Sequence, residues 1–200
     1  VGILYENKKN TFKNIHVNFP SILSTKAREY KLKQFIHISA LGIEKALDSR
    51  YAMSKLEGEK SIIKNFSKST ILRPSVIFSV DDEFSCKLLN LLNLMPIFPL
   101  YYNGKTKFSP IHVSEMCEII SNVIDKNIFS DIIECVGPEE ISFKNIIKKL
   151  LNSINKKRIL IPIPIMIAKI IAFLFEKLPK PLITMDQLRL LQYDNILSKE

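Results

Sequence analysis

Apolar and polar positions follow one another in blocks that predict strands and helices in turn. Short, almost wholly apolar runs are typical of buried strands, and they predict strands over 1–6, 34–39, 70–74 and 132–136. Longer runs with an apolar residue every third or fourth position predict helices, over 18–30, 50–65, 84–94, 114–124 and 142–150. Strands that are apolar on both faces are typical of a parallel sheet covered by helices. Such sheets bind ligands at the carboxyl ends of their strands.

The segment 159–178 is the most apolar part of the chain. Its length is close to the roughly 20 apolar residues that span a bilayer. Pro162 and Pro164 lie near its start and Lys169 lies in its middle, and these residues disfavour a spanning helix. Three interpretations stay open: a strand over 159–163 followed by a buried helix, a helix that docks on a membrane surface or a membrane-protein partner, and a transmembrane span.

The chain is basic, with 29 Lys and Arg residues against 20 Asp and Glu and a net charge of +9. Such an excess attracts nucleic acid or an anionic membrane surface. Of the basic residues, however, 24 are lysines, and they are scattered along the chain. The planar fork of arginine is the group that usually reads phosphates and bases. We therefore interpret the charge as a property of composition and expect no nucleic-acid partner.

The cysteines and histidines form no metal-binding pattern. The three cysteines are odd in number and far apart, at Cys86, Cys117 and Cys135, so we interpret them as buried thiols in a reducing compartment. The histidines have no ligand spacing with each other or with the cysteines, at His16, His37 and His112. We therefore expect no metal.

One pair of residues has the spacing that proton-transfer chemistry needs. Tyr51 and Lys55 are four residues apart in a predicted helix, so they share one face. An ammonium group beside a phenol favours the phenolate and lowers the phenol's pKa. A strand that ends at Ser39 precedes this helix, and a strand that ends at Pro74 follows it. The pair alone also occurs by chance on solvated helices, and the hydroxyl of Ser39 is also suited to a local backbone bond.

Four motifs occur in order along the chain: FIHISALG, RYAMSKLEGE, ILRPSVIF and FSPIHVSEM. Together they resemble the extended and atypical short-chain dehydrogenase/reductase superfamily, whose bacterial members are described as NAD-dependent epimerase/dehydratase-like. With the tail TMDQLRLLQYDN, the set resembles most the branch of the accessory NAD(P)H-binding subunit of respiratory complex I. The resemblance runs from Val1 to about Asn195.

The resemblance implies roles for individual residues. Tyr51 would be the general acid and base, Lys55 would lower its pKa and hold the nicotinamide ribose, and Ser39 lies on the strand of the catalytic hydroxyl. Asn18 loosely matches an asparagine of the extended members, whereas we expect His112 to be structural. The residues expected to contact NAD(P)(H) are Gly2, Ser39, Tyr51, Lys55, Pro74, Ser75 and Val76.

The chain also departs from the family pattern. Its 5 glycines are too dispersed to form the glycine-rich phosphate loop. Val1 opens a predicted strand, so we expect a fragment whose missing upstream part carries that loop and most of the cofactor contacts. Many extended members place the catalytic hydroxyl where this chain has Ala40, and complex I relatives are taken to hold the nucleotide without turnover.

The resemblance thus implies an α/β fold with a Rossmann-type parallel sheet that lacks its N-terminal strands. We expect residues 1–82 to belong to the dinucleotide-binding core and 83–200 to a smaller, mostly substrate-side region. The preferred function is an NAD(P)(H)-binding accessory protein of complex I or quinone metabolism, cytoplasmic or peripheral at the inner face of the membrane through the segment 159–178. The alternative is an active NAD(P)-dependent oxidoreductase or epimerase that uses Tyr51 and Lys55 on a sugar nucleotide or another small carbonyl compound. A basic nucleic-acid binder ranks last.

Overall fold

The computed structural model describes residues 2–178 and 181–198. In chain order its helices are α1 (Phe19–Glu29), α2 (Arg50–Asn65), α3 (Glu83–Leu94), α4 (Val113–Asp125), α5 (Phe143–Ser153), α6 (Ile165–Phe175) and α7 (Met185–Leu190). Its strands are β1 (Phe35–Ile38), β2 (Ser69–Pro74), β3 (Ile77–Phe78), β4 (Ile97–Leu100), β5 (Lys107–Phe108), β6 (Ile111–His112), β7 (Ile132–Cys135), β8 (Ile141–Ser142) and β9 (Ile159–Pro162). A π-helical turn (Lys13–Asn18) leads into α1, and a 3₁₀ turn (Tyr101–Gly104) follows β4.

The chain folds as two compact units of discontinuous sequence. The first unit contains the residues up to Pro74, the segment Ser114–Cys135 and the residues from Leu197 onward. The second contains Ser75–Val113 and Val136–Ile196. This division describes compactness and not function. The expected assignment of 1–82 to a dinucleotide-binding core and of 83–200 to a substrate-side region therefore stays a prediction.

The first unit is built on a three-stranded parallel sheet in the order β1-β2-β7. The central strand β2 is almost completely buried, as its apolar sequence predicts. The π-helical turn before α1 packs closely on α2, because Gly58 of α2 leaves room for the backbone of His16, whose carbonyl oxygen would lie only 2.0 Å from an added Cβ. The predicted α/β fold with a parallel sheet is confirmed.

The predicted strand over 1–6 is wrong for the described residues 2–6, which form no strand. Two hydrogen bonds of this segment join backbone to side chain, and neither pairs one strand with another. The Ile3 N–H donates to a ring nitrogen of His16, and the carboxylate of Glu6 accepts from the Phe12 N–H. An apolar, β-branched sequence forms a strand only where a neighbouring backbone can pair with it.

The second unit contains three two-stranded sheets, β3-β6, β4-β9 and β5-β8. Its main core joins residues from α3, α5 and the strands between them, among them Leu92, Phe98, Leu100, Phe108 and Ile147. The segment after α7 is fastened to this unit by hydrogen bonds. Asn195 donates from its N–H to the Lys107 carbonyl oxygen and accepts from the Ser109 N–H. The end of the tail TMDQLRLLQYDN is therefore held by hydrogen bonds to β5 and to the residue that follows it.

The apolar segment 159–178 forms strand β9, which pairs with β4, and then helix α6. A strand followed by a helix is thus confirmed, but the helix is buried along one side only. Ala168 and Ala172 are buried in a small core with Tyr101, whereas Met166, Ile170 and Phe173 are exposed. In the described ranges, none of the helices is long and apolar enough to cross a membrane.

The three cysteines are free, and the expectation that all are buried is wrong. Cys135 is buried, Cys86 is half-buried and Cys117 is exposed on α4. Burial raises the pKa of Cys135 to about 11, so this thiol is unreactive. The spacing of the cysteines in the sequence does not show whether the rest of the fold covers the face of α4 that carries Cys117.

Candidate functional site

Helix α2 carries Tyr51 and Lys55 one turn apart on the same face. The helix begins at Arg50 because the side chain of Ser49 accepts a hydrogen bond from the Ala52 N–H, as a typical N-cap does. The two candidate residues therefore lie within the first two turns of a helix whose start is specified by a local signal.

Lys55 connects α2 to the end of strand β1. Its side chain is only 5% exposed, and its ammonium group donates a hydrogen bond to the carbonyl oxygen of Ile38 at 3.1 Å. Burial lowers the pKa of Lys55 to about 8, and the nearby Glu59 carboxylate offsets part of this effect. Lys55 is therefore charged at neutral pH and loses its proton slightly above it.

Ser39 follows β1 and lies next to the residue that Lys55 contacts. Its N–H donates to the carbonyl oxygen of Leu72 at 2.7 Å, which holds it at the carboxyl end of the sheet. The side chain is only 6% exposed, and among the described residues its hydroxyl has no hydrogen-bond partner. An unpaired buried hydroxyl costs about 1–3 kcal/mol, so a ligand atom that paired with it would be stabilised.

Tyr51 lies among aromatic rings. The centroid of its ring is 5.3 Å from that of His16 and 6.1 Å from that of Phe12, both in edge-on geometry. Burial raises the pKa of Tyr51 to about 12, which is the opposite of the lowering that was expected from Lys55. Tyr51 therefore keeps its proton at neutral pH.

His16 and His37 lie near this pair, and sequence reasoning assigned neither of them to the site. The pKa of His16 is lowered to about 4 and that of His37 to about 3, in both cases by burial first and by the positive charge of Lys55 second. Both rings are therefore neutral at physiological pH. Lys55 thus supplies the positive charge next to two neutral imidazoles.

A charged pair beneath the site was also missed. Arg73 of β2 donates from Nε and Nη2 to the two carboxylate oxygens of Glu59 on α2, at 3.0 and 2.7 Å, and from Nη1 to Glu44 at 3.3 Å. This two-point contact holds α2 against β2. The sequence offered no local signal for this pair, because Arg73 and Glu59 are 14 positions apart and belong to different elements.

The other candidate residues of the first unit are less closely tied to this cluster. Gly2 is exposed, and an added Cβ there would meet only His16 Nε2, at 3.9 Å. Pro74 ends β2, and its carbonyl oxygen accepts from the Leu41 N–H at 2.9 Å. Asn18 is exposed, and its side chain donates to Asn14 one turn away.

Ser75 and Val76 belong to the second unit. The Ser75 hydroxyl donates to the side-chain oxygen of Asn195 at 2.6 Å and accepts from the Ser109 N–H at 3.3 Å. The carbonyl oxygen of Val76 accepts from Ile111. The Ser75 hydroxyl and the Val76 carbonyl oxygen thus already form hydrogen bonds within the second unit. His112 packs edge-on against Phe78, with ring centroids 5.2 Å apart, which agrees with the structural role expected for it.

Comparison with known proteins finds similar sequences among mitochondrial NADH dehydrogenase subunits. The chain is 25% identical over 203 residues to the mitochondrial NADH-ubiquinone oxidoreductase 40 kDa subunit of Neurospora crassa, covering 100% of this chain and 53% of that protein. It is 24% identical over 199 residues to the mitochondrial NADH dehydrogenase [ubiquinone] 1 alpha subcomplex subunit 9 of Mus musculus, covering 98% and 53%. The chain is thus similar over its whole length to these NADH dehydrogenase subunits. It spans about half the length of these relatives, and no family model matches it.

Solved structures show the same fold at low identity. A UDP-glucuronic acid 4-epimerase from Bacillus cereus, in complex with UDP-glucuronic acid and NAD, matches 97% of this chain and 66% of its own, with a TM-score of 0.65 and 20% identity. A dTDP-glucose 4,6-dehydratase from Streptomyces venezuelae with bound NAD matches 78% and 56%, with a TM-score of 0.64 and 17% identity. The predicted resemblance to extended short-chain dehydrogenase/reductases, in their complex I branch, is confirmed. The roles of Ser39, Tyr51 and Lys55 stay predictions.

Proposed function

We propose that this chain forms the nicotinamide side of an NAD(P)(H) site in a complex I accessory subunit, where the nucleotide is bound and not turned over. The observation that carries the proposal is the buried, unpaired hydroxyl of Ser39 beside the Lys55–Ile38 hydrogen bond. Its relatives by sequence are complex I subunits, and NAD is bound in solved structures that share its fold.

Ser39 and Lys55 supply what a ribose or carboxamide group of the nucleotide would need. The Ser39 hydroxyl can donate or accept one hydrogen bond. The ammonium group of Lys55 has three donors, and the bond to Ile38 engages one of them. Two polar groups of this kind fix the orientation of a ligand, as in most small-molecule sites.

The protonation state of Tyr51 favours binding without turnover. A general base acts best when its pKa lies near the working pH, whereas the pKa of Tyr51 is raised to about 12. Ala40, which occupies the position where many extended members carry the catalytic hydroxyl, points the same way. The second candidate function, an active oxidoreductase or epimerase, rests on the shared helical face of Tyr51 and Lys55.

The test uses a matched pair of serine variants in the natural full-length protein. Ser39 and Ser69 both have buried hydroxyl groups without a hydrogen-bond partner in the described part of the chain, but Ser69 opens strand β2 at its amino end. We expect Ser39→Ala to weaken NADPH and NADH binding about threefold to tenfold in isothermal titration, as for one lost hydrogen bond. Ser69→Ala should leave binding unchanged. Equal effects of the two variants, or no binding by the parent protein, contradict the proposal.

The exposed face of α6 supplies the attachment to the respiratory membrane. Met166, Ile170 and Phe173 present a continuous apolar surface, and such a surface marks an interaction site. Basic residues outnumber acidic ones around it: Lys156, Lys157, Arg158, Lys169 and Lys177 against Glu176. An apolar helix face with a basic surround fits an anionic lipid surface, with the helix lying in the interface. The protein is thus proposed to be peripheral at the inner face of the membrane, next to complex I.

Association with complex I is tested in a native membrane extract. We expect the tagged protein to co-migrate with NADH-dehydrogenase activity on a native gel after mild detergent extraction. A protein that is recovered entirely free of that activity contradicts the assignment, whatever the outcome of the nucleotide titration.

A further inference from the structure

His16 links the first described residues of the chain to the helix that carries Tyr51. Its Nε2 accepts a hydrogen bond from the Ile3 N–H at 3.1 Å, and its Nδ1 lies 2.8 Å from the hydroxyl oxygen of Ser54. Ser54 in turn donates to the carbonyl oxygen of Tyr51 at 2.7 Å. Three hydrogen bonds therefore run in series from Ile3 to the backbone of Tyr51.

The direction of each bond fixes the proton on the imidazole. Because a backbone N–H can only donate, Nε2 must be the unprotonated nitrogen. Nδ1 then carries the proton and donates to Ser54, whose own proton is used on the Tyr51 carbonyl. Protonation of Nε2 would remove the acceptor of Ile3, and the lowered pKa of His16 agrees with a ring kept neutral.

The surroundings hold the ring in this position. His16 is 2% exposed, it stacks on Phe12 with centroids 5.3 Å apart, and its edge meets the Tyr51 ring. The backbone of His16 lies so close to Gly58 that a side chain at position 58 would not fit. Phe12 and Tyr51 therefore hold the ring, and the contact with Gly58 fixes the backbone that carries it.

We propose that His16 is a positioning residue of the nucleotide site: in its Nδ1-protonated form it holds the segment at Gly2 and Ile3 in register with Tyr51 on α2. The inference rests on the proposed function, because Gly2 and Tyr51 are both expected to contact the nucleotide. It assigns to His16 a role that acts through other residues and needs no contact with the ligand.

Three substitutions of His16 distinguish the effect of its two hydrogen bonds from the effect of the packing of its ring. His16→Phe keeps an aromatic ring and loses both bonds. His16→Gln places an acceptor near the position of Nε2, within reach of Ile3, and His16→Asn places a donor near the position of Nδ1, within reach of Ser54. Each variant is made in the natural full-length protein, with the melting temperature recorded for all three.

The first readout is independent of nucleotide. In the parent protein, nitrogen-15 chemical shifts of the imidazole should report a protonated Nδ1 and an unprotonated Nε2. Amide exchange at Ile3 should accelerate about threefold to tenfold in His16→Phe, recover in His16→Gln and stay fast in His16→Asn. An Nε2-protonated ring, or exchange at Ile3 that is equal in the four proteins, overturns the proposal.

The second readout is the dissociation constant for NADPH. It should rise about threefold to tenfold in His16→Phe and recover in His16→Gln, even where the melting temperatures of His16→Gln and His16→Asn are equal. Affinity that follows the melting temperature alone would show a merely structural role and overturns the inference. If the parent protein binds no nucleotide, the proposed function fails, while the imidazole shifts and Ile3 exchange still decide whether His16 holds this segment to α2.

Discussion

The ammonium nitrogen of Lys55 lies 3.1 Å from the carbonyl oxygen of Ile38, so the helix that carries the candidate site is bonded directly to the end of strand β1. The next residue along the chain is Ser39, whose buried hydroxyl has no partner among the described residues. Lys55 therefore has a structural role, through its bond to Ile38, and a predicted role in binding a ligand next to Ser39. Variants at Lys55 must be judged on stability as well as on affinity.

Lys55 should make stability depend on pH above neutrality. Its pKa is about 8 in the folded chain and 10.5 in the reference state. Between these values the unfolded chain binds more protons than the folded chain, so the free energy of unfolding rises with pH. Relative to Lys55→Met, the parent should gain about 2 kcal/mol between pH 7.5 and pH 9.5, measured by urea denaturation. A difference that is flat or falls over this range contradicts the buried state of Lys55.

Gly58→Ala should destabilise the first unit. The added Cβ would lie 2.0 Å from the carbonyl oxygen of His16, so the π-helical turn Lys13–Asn18 would have to move away from α2. We expect a loss of about 1–3 kcal/mol, as for other overpacked positions, measured by urea denaturation. Gly2→Ala is the matched control, because its Cβ would meet nothing closer than 3.9 Å, and it should leave stability unchanged.

Tyr51→Phe should not change the rate of NAD(P)H oxidation. Oxidation of NAD(P)H by a carbonyl substrate needs a proton donor, and with its pKa at about 12 the phenol of Tyr51 is a poor general acid at neutral pH. Rates are measured for the parent and the variant over a panel of sugar nucleotides and small carbonyl compounds. The control is Tyr30→Phe, whose hydroxyl is on the surface. A parent rate that exceeds the background and is abolished in Tyr51→Phe alone would establish the enzyme instead.

A charge placed on the exposed face of α6 should abolish membrane binding. Ile170 is 60% exposed on this face, and Ile170→Glu sets a carboxylate against the lipid. We expect the parent protein to float with vesicles that contain anionic lipid and the variant to remain at the bottom of the gradient. Ile22→Glu on α1 is the control, since Ile22 is 59% exposed in a different surface, and it should float like the parent. If the parent protein binds complex I but does not bind vesicles, the exposed face of α6 contacts a protein partner instead of lipid.

Local signals account for the parts of the fold that were predicted correctly. Helix α2 was predicted over 50–65 and has those bounds, because Ser49 supplies its N-cap and apolar residues recur at helical spacing. Helix α5 begins after Ser142 for the same reason, since the Ser142 side chain accepts from the Asn145 N–H. Such signals act between residues within one turn and can be read directly along the chain.

The incorrect predictions concern contacts between residues that are far apart in sequence. The described residues 2–6 have the composition of a strand, but the Ile3 N–H donates to the side chain of His16 instead of to a neighbouring strand. For helix α6 the sequence left open whether the helix is buried or docks on a surface, and in the structure only the side with Ala168 and Ala172 is covered. Hydropathy reports how readily a side chain leaves water, and it does not report whether a neighbour is there to cover it.

The sequence by itself determined the alternation of strands and helices, the placement of Tyr51 and Lys55 on one helical face, and the resemblance to the complex I branch. These depend on residue type and on spacings of a few residues, which every conformation of the chain preserves. Only the tertiary structure decided that Lys55 bonds to Ile38, that the pKa of Tyr51 rises and that His16 bonds to Ser54 across 38 positions. Desolvation and hydrogen bonding depend on what surrounds a group in space, and folding alone brings those surroundings together.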